Sequence, residues 1–297
     1  MWKSLSHNLK SFIKYPGQVC KMSVSANLPA LSEVLEKLQN FAPEKLAESW
    51  DNVGLLIEPA TPNPISGILM TNDLTEKVLQ EAVDVQADLI ISYHPPIFES
   101  FKRITQDTWK GRIMSKCLEK GIAVYSPHTA WDSVRGGIND WLGAFLIDHY
   151  SMGKPIVPNK DLEDCGAGRI YQNLPGKGLT LEEIISGLKK HISHPDKHIP
   201  VALAHPLNHK VTSVALCAGS GSSLLRGLKV EVFITGEMSH HALLDANHSG
   251  TSVILTNHSN SERNFLPTVK KILEESFAGV LVTISTSDRD PLSLDNL

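Results

Sequence analysis

A chain of 297 residues, 41% of them hydrophobic, is long enough for one large or two small globular units and can fill a substantial core. A net charge of -4 with 20% charged residues excludes the basic footprint that drives phosphate-backbone binding, so direct nucleic-acid binding is not expected. Four dispersed cysteines, Cys20, Cys117, Cys165 and Cys217, form no CxxC pair, which excludes a zinc ribbon or disulfide framework and reads as reduced intracellular thiols. No run approaches the roughly 18–20 apolar residues that a membrane helix needs.

Residues 1–28 are set apart from the fold. Lys3, Lys10, Lys14, Lys21 and several serines, with no acid before Met22, fit a mitochondrial transit peptide; the lack of arginine and the early Pro16-Gly17 fit a flexible tail equally well. Folded structure is expected from Leu31, where Leu31, Val34, Leu35 and Leu38 trace an amphipathic helical stripe. Strands are predicted at 53–57 and 65–70, then a helix carrying Val78, Leu79, Ala82 and Val83, then a doubly buried strand at 87–92. A helix near 108–120 closed by Gly121 leads to a strand at 122–125. This alternation predicts an α/β fold with a mainly parallel sheet flanked by helices.

The stretch 151–179, rich in Pro, Gly, Asn and Asp, reads as a linker between a first half, 29–150, and a second, 180–297. The second half opens with Thr180-x-x-Glu183, a capping box. Strands follow at 211–217, 230–235, 252–256 and 280–285, with helices near 221–228, 239–247 and 261–276, so the alternation of the first half recurs.

Polar clusters follow four of these strands, where ligands of open α/β sheets bind. Ile90-Ile91-Ser92 runs into Tyr93-His94-Pro95-Pro96, and Ala123-Val124-Tyr125 runs into a segment containing His128 and Asp132. In the second half, Val232-Phe233-Ile234 leads to Glu237, His240 and His241, and Val253-Ile254-Leu255 to His258 and Glu262. Imidazole and carboxylate donors without thiolate suit zinc, iron, manganese or nickel, one or two ions, and argue against a purely structural zinc site. Each group also has a local alternative. Ser259-x-x-Glu262 fits a capping box, Asp132 a turn before Gly136-Gly137, and His94 a loop histidine bonded to backbone. The glycine-rich Cys217-Ala218-Gly219-Ser220-Gly221-Ser222-Ser223 matches neither phosphate-loop fingerprint and reads as a tight strand-to-helix turn.

The chain resembles the Nif-three-like family (NGG-one-interacting factor three-like proteins, also labelled GTP cyclohydrolase I type 2 homologues). The resemblance is carried by Glu48-Ser49-Trp50-Asp51-Asn52-Val53-Gly54-Leu55, Thr71-Asn72-Asp73-Leu74-Thr75, Ser92-Tyr93-His94-Pro95-Pro96, Tyr125-Ser126-Pro127-His128-Thr129, Ala218-Gly219-Ser220-Gly221-Ser222, Thr235-Gly236-Glu237-Met238-Ser239-His240-His241, His258-Ser259-Asn260-Ser261-Glu262-Arg263 and Asp288-Arg289-Asp290-Pro291. It implies two related α/β halves with a dinuclear-type metal site between them, ligated by His94, Asp132, His258 and Glu262, with Glu262 bridging. Bacterial relatives have two adjacent histidines where this chain has Tyr93-His94, which removes one donor from the second metal position. The span from Leu146 to Thr180 is too short for the inserted domain of some relatives. The resemblance also implies a homo-oligomer, dimer or hexamer, and transcription-related protein partners in cytoplasm and nucleus.

Two functional expectations follow. One is a metal-dependent hydrolase of a nucleotide-like or phosphorylated small molecule, with His128, Glu237 and His241 as the candidates for moving protons. The other is a non-catalytic scaffold or transcriptional co-regulator; metal handling is a third reading.

Overall fold

The structure is a computed structural model that describes residues 28–194 and 198–292; the lysine-bearing stretch before Met22 lies outside the described residues. Helix α1 (Leu31–Phe41) buries the expected stripe of Leu31, Val34 and Leu38. Strands β1 (Gly54–Ile57) and β2 (Gly67–Thr71) follow, then α2 (Glu76–Asp84), whose N-terminus is capped by the Thr75 hydroxyl accepting from Val78 N–H. Next come β3 (Leu89–Ser92), α3 (Trp109–Lys120), capped by Thr108 and ended by a left-handed Gly121, and β4 (Ala123–Ser126). Short helices α4 (His128–Ser133) and α5 (Ile138–Leu142) occupy a stretch for which the sequence predicted no element.

The expected linker holds three strands, β5 (Val157–Pro158), β6 (Gly166–Ala167) and β7 (Arg169–Gln172). Apolar periodicity conceals β7 because its fully buried anchor is Arg169. That guanidinium donates to both Asp140 oxygens and to the carbonyls of Gly166, Gly168, Ser133 and Val134, which satisfies its charge and its fork of donors inside the fold. The Thr180–Glu183 capping box forms and opens α6 (Leu181–His191). The chain continues through β8 (Val201–Ala202), β9 (Ser213–Cys217), α7 (Ser222–Leu225), β10 (Val232–Thr235), α8 (His240–His248), β11 (Ser252–Leu255), α9 (Leu266–Ser276) and β12 (Leu281–Ile284).

Two five-stranded sheets result. The first has the order β1-β4-β3-β2-β12, parallel except for the β1 edge; the second has the order β7-β9-β10-β11-β8, with antiparallel strands at both edges. The last strand thus returns to the first sheet, aligning Leu281–Ile284 with Gly67–Met70, instead of extending the second half. Periodicity identifies a strand but not its partner, and α9 between β11 and β12 is long enough to carry the chain across.

Strand faces alternate. Ile68, Met70, Leu89 and Ile91 share one core with Val214, Leu216, Val232, Ile234 and Ile254 of the second sheet and with α1, α6 and α9. Leu69, Ile90 and Val124 pack outward against α2 and α3, and Ala215, Phe233 and Val253 against the second sheet's own cover. The shared core fixes the two sheets against each other, so loops at the carboxyl ends of β3, β4, β10 and β11 converge. Among the described residues no helix is long and apolar enough to cross a membrane.

Candidate metal centre

Three donors meet where the sheets face each other. His94 leaves β3, its backbone fixed by N–H donation to Asn72 O and by the Ser92 hydroxyl donating to its carbonyl. Its Nδ1 donates to Asp73 Oδ1 (2.9 Å), which turns Nε2 toward Glu262 Oε2 at 3.5 Å. His258, after β11, repeats the arrangement. Nδ1 faces Glu237 Oε1 (3.0 Å) and Nε2 lies 3.5 Å from Glu262 Oε1. Each imidazole is therefore oriented by a carboxylate behind it, and each turns its free nitrogen toward a different oxygen of one buried carboxylate, as metal-ligating histidines do. One ligand atom from each of His94, His258 and Glu262 falls within 4.8 Å of the others.

The backbone makes room for this approach. Gly219 has φ +62°, and a Cβ there would stand 2.6 Å from Glu262 Oε1 and 3.1 Å from His258 Nε2. The glycine-rich turn thus serves Glu262, and Gly219 N–H donates to Ser261 Oγ. Non-glycine residues His128 (φ +32°), at the start of α4, and Asn257 (φ +64°), in the loop after β11, hold positive-φ backbone, strain that concentrates at functional sites. Asn72 donates to Glu262 Oε2 (3.1 Å), while its buried Oδ1 has no hydrogen-bond partner among the described residues.

Electrostatics match the geometry. Burial pushes the His94 imidazole down, but the Glu262 charge and the Asp73 hydrogen bond more than offset this and raise it to about 10. Burial pushes Glu262 up, yet His94 and His258 hold it below the usual carboxylate range. The negative field that favours an imidazolium here equally favours a divalent cation, and a cation displacing that proton would couple its binding to proton release. The donor set fits a transition ion of the nitrogen- and oxygen-preferring kind.

The other sequence candidates divide. Asp132 sits behind Tyr93, whose hydroxyl donates to Asp132 Oδ1 (2.8 Å), and it is outside the three-donor group. Burial and the Glu262 charge raise its carboxyl to about 6. Glu237 orients His258. His128 stands with its ring centroid 5.4 Å from that of His94. His241 is exposed on α8, edge-on to His240, and no hydrogen bond or ring contact among the described residues joins it to the three donors. The Ser259–Glu262 capping box does not form. Residues 259–261 and 263–265 make 3-10 turns, α9 starts only at Leu266 beside Pro267, and the Glu262 side chain is turned to the imidazoles.

Several contributors carried no assigned role in the sequence. Asp51 accepts from His128 Nδ1 (2.7 Å) and from Thr129, and these bonds outweigh burial to keep its carboxylate below the usual range. Asp288 accepts from Asn72 N–H and pairs with Arg263, and Asp290 accepts from Ser259, so the segment after β12 braces the centre. The runs Trp50-Asp51-Asn52 and Thr71-Asn72-Asp73 had marked the right loops. A cavity of about 380 Å³ lined by Asp73, His94, Glu237, His258 and Asp290 opens at the centre. A larger one of about 1000 Å³, lined by Leu28, Leu31 and Phe277, has no comparable chemistry. Beside His128, the exposed rings of Trp50 and Phe98 meet edge to face at 6.0 Å, with centroids 6.1 and 6.3 Å from the His128 ring.

Two parallel-centred sheets on a common core, with two imidazoles and a carboxylate gathered at their strand ends, define an α/β protein with a group able to hold a metal ion. The chain belongs to the Duf34/NIF3 (NGG1p interacting factor 3) family, whose model matches residues 29–291. It is 46% identical to NIF3-like protein 1 of Drosophila melanogaster over 88% of each chain, and 34% identical to that of Homo sapiens over 89% of this chain and 92% of the relative. With NGG1-interacting factor 3 of Saccharomyces cerevisiae it shares 38% identity over 92% of its own length and 100% of the relative's. The fold matches that of a Bacillus cereus protein related to NIF3 (TM-score 0.73, 20% identity, 91% and 100% of the two chains). It also matches reduced HcgD from Methanocaldococcus jannaschii (TM-score 0.73, 23% identity, 86% and 97%).

Proposed function

We propose that the chain is a divalent-metal-dependent hydrolase of a nucleotide-like or phosphorylated small molecule. The observation that carries this reading is the placement of the Asp51–His128 pair beside His94, one of the three donors, with the open Trp50 and Phe98 rings against His128. A bound ion would supply Lewis-acid polarisation of a phosphoryl oxygen. Donation from His128 Nδ1 to Asp51 leaves Nε2 as the acceptor, so His128 can take a proton from an attacking water, and the ionised Asp51 stabilises the imidazolium that forms. Glu237 and Asp73 hold the two ligand histidines in orientation. Trp50 offers a flat face on which the ring of a substrate can stack.

The test is turnover by metal-loaded protein across a panel of nucleoside phosphates and simple phosphoesters. For the substrate found, Asp51→Asn is expected to lower kcat by roughly 10²–10⁴ with metal content unchanged. Trp50→Ala is expected to act on KM, by about 5- to 150-fold. His258→Ala is expected to lose the ion. Absence of turnover across the panel, together with full metal retention by His258→Ala, would remove the proposal.

The name of the yeast relative describes a protein that interacts with NGG1, which favours a second reading: a binding partner in a transcription-related setting, to which we join the expected homo-oligomer and the cytoplasmic or nuclear location. Partner capture that survives Asp51→Asn but follows surface substitutions away from the centre would support it.

A further inference from the structure

At the opposite end of the second sheet lies another meeting of donors. The parallel strands β9, β10 and β11 deliver Glu237 and His258 from their carboxyl ends, while Thr212, Glu231 and Gly250 lie at or just before their starts. Strand β8 runs antiparallel to β11 and carries the chain to that same end, where Ala204 N–H donates to the Ser252 hydroxyl. The loop that follows holds His205 and His209, whose rings stack with centroids 4.2 Å apart and planes inclined by 15°. His209 Nε2 lies 3.2 Å from Glu231 Oε1.

We propose that His205, His209 and Glu231 form a second divalent-cation site, for an ion of the zinc, cobalt or nickel kind, independent of the His94 centre. One ligand atom from each falls within 4.8 Å of the others. Two of the three are already oriented from behind by other groups. His205 Nε2 donates to the Gly250 carbonyl (2.8 Å), which leaves Nδ1 with its lone pair free. Glu231 Oε2 accepts from Thr212 N–H and Oγ1, leaving Oε1 facing His209. These are the supports that metal ligands require: a fixed tautomer on the imidazole and a fixed rotamer on the carboxylate.

Bonds of about 2.0–2.1 Å to a tetrahedral ion set ligand atoms about 3.3–3.5 Å apart; His209 Nε2 and Glu231 Oε1 already stand 3.2 Å apart, and the His205 nitrogen, within 4.8 Å of both, has only to close in on them. The two rings are stacked and cannot both point at one ion until one of them turns. His209 and Glu231 are partly exposed and the movement is confined to side chains, so the backbone need not follow. A carboxylate with two imidazoles selects these ions over calcium and magnesium, which prefer all-oxygen shells. Three protein ligands leave a fourth position for water or an outside donor. The ion would fasten the 203–210 loop to the start of β10.

The test uses tag-free full-length protein in which His258→Ala and Glu262→Gln remove the first centre. Titrated with Co²⁺ and followed by visible absorption and calorimetry, this double variant is expected to bind one equivalent. Adding His209→Ala is expected to abolish that binding, and adding Glu231→Gln to weaken it at least tenfold. Because Glu231 also holds Thr212, a separate His205→Gln variant, which leaves Glu231 untouched, is expected to weaken Co²⁺ equally. Zn²⁺ is expected to raise the Tm of the double variant and not that of the His209 triple variant. Failure of the double variant to bind Co²⁺, or undiminished binding after loss of both His205 and His209, overturns the site.

Discussion

Gly219 gives the sharpest expectation at the scale of single residues. Its φ of +62° and the 2.6 Å approach of Glu262 Oε1 to a would-be Cβ mean that Gly219→Ala both strains backbone and displaces the Glu262 carboxylate. A loss of about 1–3 kcal/mol in stability and at least a tenfold loss of Zn²⁺ affinity are expected, read by urea denaturation and calorimetry. Gly227→Ala is the control, since Gly227 shares the left-handed backbone (φ +80°) but has nothing within 4 Å of its Cβ position. It should lose stability alone. The three donors His94, His258 and Glu262 were legible in the sequence because strand ends are where α/β sheets gather chemistry. Asp51, Asn72 and Asp73 had no assigned role because they work by orienting another residue, and an orienting carboxylate reads like any turn residue. The position of Asp132 depends on the Tyr93 hydroxyl, a long-range contact that no spacing encodes.

Among elements, two identical spacings had opposite outcomes. Thr180-x-x-Glu183 caps α6, whereas Ser259-x-x-Glu262 yields its glutamate to the imidazoles, and the helix waits for Pro267. Local pattern states a preference; tertiary partners decide it. The turn after β12 depends similarly on a distant group. Glu81, on α2, accepts from Ser285, from Thr286 N–H and Oγ1, and from Ser287 N–H. Burial raises its carboxyl, but these donors more than offset it and bring it down to about 2 from 4.5. A carboxylate lowered on folding stabilises the native state above its unfolded value, and that contribution fades as pH falls from there through the folded value. With solvent screening, Glu81→Gln should therefore cost on the order of 1–2 kcal/mol at neutral pH. In urea melts the gap between parent and variant should stay constant down to about pH 5 and narrow toward about pH 2.5. A gap independent of pH would show that Glu81 acts by packing alone.

For the whole molecule, the fold class and most strands were readable, since continuous apolar runs and their helical intervals are local. The joining of the sheets was not. One joint is Arg169, whose guanidinium links β7 to α5 through Asp140 and to the end of α4 through carbonyls. Arg169→Ala takes from Asp140 its bidentate partner, leaving it the Gly136 N–H and the longer Arg135 pair, and strips a donor from several carbonyls; a loss of about 3 kcal/mol is expected by chemical denaturation. Arg169→Lys should rescue little, because an ammonium cannot reproduce the fork. If the lysine variant melts like the parent, charge rather than geometry holds the joint.

The other joint is β12, paired with β2 and followed by Asp288, which holds Asn72 from 216 positions away. On the ribosome, β2 therefore presents bare amide and carbonyl groups along one side until β12 has been translated, a template for pairing with neighbouring nascent chains. A message truncated after α9 would accordingly yield an aggregation-prone chain rather than a smaller soluble one.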